Sequence, residues 1–330
     1  MNNFCASDRR DLLYQSGLSL VELMVAMTIG LLLTAGIGYF YLGSSQTFRA
    51  VDDLSRIQES YRYALDFIGT DIRQAGYAGC ANVSAIPQPG TAGAQLAPAG
   101  DFLAQSIQGF TGAPLWPGPA PAPANYVPNT DVIRVMRADT LGTNVTATMA
   151  GAAAPISVAN NPGHIQAGDR GLIADCTHAD AFTVNAVAGT TTITPDPLVP
   201  LQKAYGVGAE VFPLSDTVYF IGTNPSGNPA LYRRVGTNAS EELVENVENM
   251  VIRYGVDTNN DYAVDAYQAA GAVVNWRQVV AIRLNLVFRG INLTAVGAAP
   301  CLVEGANCAQ ADGQVRQVAT ATYGIRNRLP

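Results

Sequence analysis

The sequence predicts an α+β protein in which a long N-terminal helix, half transmembrane and half amphipathic, packs on an antiparallel β-sheet head. Three observations predict it. Residues 18–42 are almost wholly apolar. Residues 44–75 continue with apolar side chains at steps of three and four, the period of one helix face. Beyond residue 131 the pattern changes to short alternating segments between turn residues. No βαβ rhythm occurs there, which favours antiparallel pairing.

At about 1.5 Å per residue, segment 18–42 makes a helix about 37 Å long, enough to cross a hydrocarbon core of about 30 Å. Its one charge is Glu22. A lone carboxylate at mid-membrane costs of order 2.5–3.5 kcal/mol, and less near a helix end, so the residue needs a reason. A secretory signal peptide has an apolar core of roughly 7–15 residues, and this run is longer. A plain signal anchor explains the length but not the acid. Upstream, residues 1–17 form a short polar leader carrying Arg9 and Arg10.

Residues 43–80 extend the helix. Phe48, Val51, Leu54, Ile57, Tyr61, Leu65, Ile68 and Ile72 form the apolar stripe, and Arg49, Asp52, Asp53, Arg56, Glu59 and Asp66 fill the other faces. Gly36, Gly38 and Gly43 weaken the helix where its two halves meet, each by about 1 kcal/mol relative to alanine. The helix is expected to end at Gly76-Tyr77-Ala78-Gly79-Cys80.

Residues 81–130 are rich in Ala, Gly and Pro, with Pro117, Pro119, Pro121 and Pro123 close together. They read as an extended, poorly constrained surface loop, either a spacer or a contact surface. The β-rich head spans 131–330. Its expected strands are 131–137, 156–159, 171–175, 182–187 paired with 190–194 through Ala188-Gly189, 217–222, 229–235 and 279–289. A mixed segment covers 241–255, and a last strand leads into the C-terminus.

The chain of 330 residues carries a formal net charge of −7 and one lysine, Lys203. A phosphate-tracking surface needs clustered Lys and Arg, so nucleic acid is excluded as a main partner. No GxSxG, GxxxxGK[ST] or suitably placed GxGxxG occurs, and His164 and His178 are isolated. No enzyme is expected. Of five cysteines, Cys5 lies in the leader. The remaining four suit two disulfides in an oxidising compartment. Four cysteines allow three pairings; the favoured one joins Cys301 to Cys308, because a short loop closes easily, and Cys80 to Cys176. Asp257, Asn259, Asp261 and Asp265 fall at positions one, three, five and nine of a calcium loop. Position six is Tyr262 rather than glycine, and position twelve is Gln268 rather than glutamate. The competing reading is a polar turn between strands; no other cofactor is expected.

The run Ser16-Gly17-Leu18-Ser19-Leu20-Val21-Glu22-Leu23 resembles the class III signal of type IV prepilins, with Leu18 where the family usually has Phe. Residues 73–80 resemble the end of the first helix in PilW-type minor pilins. Ala319 to Leu329, with its Arg326-Asn327-Arg328 ending, resembles PilW and the related type II secretion pseudopilin GspJ. The resemblance implies a pilin-like fold and cleavage between Gly17 and Leu18 by a prepilin peptidase. It implies N-methylation of Leu18 and pairing of Glu22 with a neighbouring subunit's amine. The implied function is a minor pilin that primes type IV pilus assembly and sits at the filament tip. Other minor pilins, the major pilin, the inner-membrane assembly platform and a tip adhesin are the implied partners. The head would be periplasmic on a single-pass inner-membrane anchor, then extracellular in the pilus. The alternatives are a minor pseudopilin of a type II secretion system and a membrane-anchored periplasmic binding protein.

Overall fold

The computed structural model describes residues 19–81, 102–293, 301–303, 306–307 and 312–329. The chain divides into two units, Met1–Val51 and Asp52–Pro330. Helix α1, Leu20–Gln74, begins in the first and ends in the second. In the first unit its apolar side chains stand open, as at Leu32 (73% exposed) and Phe40 (77%). The helix runs through Gly36, Gly38 and Gly43, where an added Cβ would meet nothing within 4 Å. The expected stripe is buried only from Ile57 onward, through Ala64, Ile68, Ile72 and Ala75, whereas Phe48, Val51 and Leu54 are exposed. Periodicity marks a face, but what covers that face is a tertiary matter.

The helix stops at Gly76. Its φ of +72° is the left-handed conformation that glycine adopts without penalty, and its N–H donates to Met136 O at 2.9 Å. After α1 come a short helix α2 (Phe102–Gln105) and strands β1 (Ile107–Phe110), β2 (Val132–Ala138), β3 (Thr143–Asn144), β4 (Ile156–Ser157), β5 (Arg170–Ala174), β6 (Ala179–Ala188), β7 (Thr192–Pro195), β8 (Glu210–Thr223), β9 (Pro229–Val235) and β10 (Glu241–Glu245). These ten strands form one antiparallel sheet. A second sheet follows from β11 (Val247–Val256), β12 (Ala266–Gln268) and β13 (Val279–Leu293). Strands β14 (Leu302–Val303) and β15 (Ala306–Asn307) pair with each other, and β16 (Gln314–Gly324) completes the second sheet in the order β12-β11-β13-β16.

The main core lies where the C-terminal half of α1 meets both sheets. Ile68 and Ile72 join Ile133, Val135, Tyr219 and Ile221 of the larger sheet and Ile252, Leu284 and Leu286 of the smaller one. Two polar contacts fix the helix there. Asp71, largely buried, pairs with Arg137 of β2 at 3.2 Å and accepts the Tyr219 hydroxyl of β8 at 2.7 Å. Near the start of the second unit, buried Asp53 accepts the backbone N–H and side-chain amide of Asn292 at 3.0 and 2.8 Å. The ring of Tyr323 lies so close to the helix that a Cβ at Gly69 would stand 2.4 Å from it, and its hydroxyl donates to Leu65 O.

Several elements differ from expectation. From Phe102 on, the segment expected as loop is packed: Phe102, Leu103 and Ile107 are buried, and Trp116 sits edge-on to Tyr126 and Phe220. Its few apolar anchors are hidden in an Ala/Pro background. Strand β8 extends seven residues upstream of the expected 217, passing through Pro213, Ser215 and Asp216, residues that break simple alternation. Only Ile156 and Ser157 of 156–159 form a strand, with Val158 adding an isolated bridge to Val145. Segment 241–255 divides into β10 and β11 at Asn246, whose φ is +60°.

Removing one partner of a buried ion pair strands the other, at a typical cost of 3–5 kcal/mol. Asp71 and Arg137 are slightly solvated, so Asp71→Ala should destabilise the protein by about 3 kcal/mol. A clear fall in the urea midpoint checks this, and a shift below about 0.5 kcal/mol would mean the contact does not anchor the helix.

Candidate functional site

The first turn of α1 holds the one charge of the apolar segment. Ser19 precedes the first helical residue, and its hydroxyl accepts the Glu22 N–H at 3.2 Å. The Glu22 carboxylate reaches back to accept the Ser19 N–H at 3.0 Å. This reciprocal pair is a capping box, which satisfies two amides that a helix start leaves free. A carboxylate at this end also suits the positive end of the helix dipole. The Ser-x-x-Glu spacing was visible in the sequence, and reading Glu22 through charge alone missed its partner Ser19. Gly17 and Leu18, the expected cleavage and methylation residues, lie outside the described residues.

Beyond Glu22, every large apolar side chain from Leu23 to Leu42 that is markedly exposed, including Met27, Leu31, Leu33 and Ile37, faces no cover within its own unit. Among the described residues α1 is the one helix long and apolar enough to cross a membrane. A helix bare on all sides is stable in water only when lipid or another protein covers it.

In the head, Cys80 and Cys176 form a disulfide that ties the turn after α1 to the turn after β5. Cys301 is disulfide-bonded and buried. Cys308, its expected partner, lies outside the described residues. Beside Cys176, Asp175 forms an ion pair with Lys203 and accepts the Thr177 hydroxyl at 2.7 Å and the His178 N–H at 2.9 Å. Burial opposes ionisation of Asp175. The hydrogen bonds from Lys203, Thr177 and the His178 amide together outweigh it and hold its pKa at about 2.

The Asp/Asn loop between β11 and β12 uses its oxygens on its own backbone. Asp257 accepts the N–H groups of Asn259, Asn260 and Tyr262 at 3.2, 2.7 and 2.8 Å. Asp261 accepts the Ala263 N–H and the Asn259 side-chain amide. Asp265 accepts both the N–H and the hydroxyl of Thr258, and these bonds lower its pKa. Asn260 and Tyr262 take positive φ values of 61° and 66°. Among the described residues no three His, Cys, Asp or Glu side chains form a group that could hold a metal ion. An ion bound by these four residues would displace amide donors from the carboxylates of Asp257, Asp261 and Asp265.

Comparison with known families gives two matches. Residues 218–327 match the family of type IV pilus-assembly protein W. Residues 12–38 match the prokaryotic N-terminal methylation motif. The first runs from within β8 into the C-terminal Arg-Asn-Arg segment, and the second covers Gly17, Leu18, Glu22 and most of the apolar segment 18–42. No curated protein matches the chain.

Two outcomes test the head. Calorimetric titration of the detergent-solubilised protein with millimolar calcium should release no heat, whereas saturable binding lost in Asp257→Asn would restore the calcium loop. Asp175 has a folded pKa below its unfolded value of about 3.9, so its contribution is present above pH ~4 and lost as pH falls towards about 2. Wild type should thus unfold at higher urea than Asp175→Asn at pH 6, with the gap shrinking at pH 2.5. A gap of constant size would show that the ion pair with Lys203 is not its source.

Proposed function

We propose that this chain, a type IV pilus minor pilin of the PilW family, primes assembly of the filament and sits at its tip. The family is structural, and its role implies contact with other pilus components. The methylation motif and the apolar start of α1 fit a membrane-anchored pilin.

The observation that carries the reading is the first turn of α1: a single carboxylate, held by Ser19, at the head of an otherwise bare apolar helix. Cleavage after Gly17 would create an amine on Leu18, about one helical turn from Glu22. In a filament, Glu22 pairs with the amine of a neighbouring subunit. A charge pair among apolar helices is tolerable only when both partners are present, so the pair sets the register of packing. Before assembly the same helix anchors the subunit in the inner membrane with its head in the periplasm. The partners in this reading are the prepilin peptidase, the assembly platform, the major pilin, the other minor pilins and a tip adhesin.

The intact mass and N-terminal sequence of the protein recovered from its own membranes test the reading. The expected chain begins at Leu18 and is heavier by one methyl group. Glu22→Ala should be processed but absent from sheared filaments. A chain beginning at Met1, or cut after the apolar run, would remove the pilin reading.

A further inference from the structure

Strand β8 changes partner along one edge. Its first half pairs with β5 as far as Gly171 opposite Pro213, and its second half pairs with β9 from Val235 opposite Thr217. Strand β2 bridges the change on the other edge, from Leu214 to Tyr219. The fork between β5 and β9 opens a cleft of about 730 Å³. Each of the three neighbouring strands sends one arginine to it: Arg134 from β2, Arg170 from β5 and Arg234 from β9. Arg134, Val218 and Arg234 lie opposite one another in a single cross-strand row. Alternation puts Ile133, Val135 and Tyr219 on the other side of the sheet, in the core beneath α1.

Asp216 is shared between two of these cations. It accepts Arg134 Nε and Nη2 at 2.7 and 2.5 Å and Arg170 Nη1 at 3.0 Å. Arg234 is only 3% exposed, lies over the Trp116 ring, and among the described residues pairs with no carboxylate. Its Nη atoms donate to the carbonyls of Pro119 and Pro121, and its buried Nε finds no acceptor among the described residues. The other acid in the lining, Asp169, is engaged by the Gln166 N–H. The cleft thus holds three guanidiniums against two carboxylates, in a chain whose formal net charge is −7. Burial depresses the pKa of Arg170 and Arg234. Asp216 opposes this, and the Arg134 charge adds to it, as expected of cations short of counter-charge.

We propose that this cleft binds a carboxylate of an acidic segment on a neighbouring protein subunit. Arginines recognise carboxylates through paired N–H donors, and clusters of them recognise acidic motifs in peptides. Gln105, Gln108, Thr237 and Asn238 surround the cations with neutral hydrogen-bonding groups. The volume exceeds what one inorganic anion fills and falls in the range of pockets that enclose several connected groups. The Pro-rich segment forms one wall through Pro119 and Ala120, which gives that part of the chain a structural task. The identity of the partner as a subunit rests on the filament reading; the preference for a carboxylate does not.

The test is calorimetry on the full-length protein in detergent at low salt, with end-blocked tetraglutamate as the probe and tetraglutamine as control. Tetraglutamate should bind at least about tenfold more tightly, with affinity falling as salt rises. Arg170→Gln should lose about tenfold; its side chain is 31% exposed, so the fold should tolerate the change. If that variant fails to fold, Asn238→Asp, which adds an acid to the lining, should give a similar loss. Equal binding of tetraglutamine, affinity unchanged in a folded variant, or glucuronate or inorganic phosphate binding as tightly as tetraglutamate would overturn the proposal. A methylated N-terminus at Leu18 together with no peptide binding would remove the cleft proposal and leave the pilin reading standing.

Discussion

One carboxylate orients the second unit. Asp71 sits on the last full turn of α1 and reaches Arg137 on β2 and Tyr219 on β8. A charge this deep must be paired and hydrogen-bonded, so the helix cannot rotate without breaking both contacts. With Asp71 held, Ile68 and Ile72 point into the space between the sheets. Gly69 then falls under the Tyr323 ring, where only a hydrogen fits. The chain leaves the helix at Gly76, close to Met136 at the end of β2, and Cys80 lies within reach of Cys176. Tyr219 adds the converse effect: burial first, then the Asp71 charge, raises its pKa, so it remains a hydrogen-bond donor at any physiological pH.

The two units meet the polar and apolar demands of their residues in opposite ways. In the head, the buried arginines Arg328 and Arg316 draw on backbone oxygens and on acids. Arg328, almost fully buried, donates to the carbonyls of Val279, Trp276 and Leu103 and to the Ser106 hydroxyl, tying the C-terminal turn to α2 and β13. Arg316 is gripped by Asp312 and Glu248, whose hydrogen bonds, that of Asp312 first, raise its pKa. Among the described residues of the first unit, polar side chains serve the helix's own backbone, in the Ser19–Glu22 cap and through the hydroxyls of Thr28, Thr34 and Thr47, which donate to carbonyls three or four residues back, and the apolar surface is left for an environment other than water.

Much of this architecture was legible where the signal is local. Strand β9 falls on the expected 229–235, and the hairpin of β6 and β7 turns where glycine was expected, at Gly189 with φ +59°. The turn closes with three residues between Ala188 and Thr192 rather than two. The Asp/Asn loop shows the limit of spacing arguments. The residues stand at calcium-loop positions, but side-chain oxygens can serve their own backbone amides equally well, and position along the chain does not distinguish the two uses. The capping box has an equally local signature, its partners being three residues apart, but the charge of Glu22 alone does not point to Ser19.

Composition and period by themselves determined the membrane-length helix, its lone acid, the amphipathic continuation and the antiparallel β character of the head. Each depends on near neighbours along the chain, and one-dimensional order preserves that information. Only the tertiary structure decided where burial of the stripe begins, that residues from Phe102 on are packed, and that β8 is shared among β2, β5 and β9. It alone brought Arg134, Arg170 and Arg234 around Asp216. These residues are dispersed along the chain, and no periodicity links them. They meet because strands bury their apolar faces against one another, and the register of that burial dictates which polar side chains end up side by side.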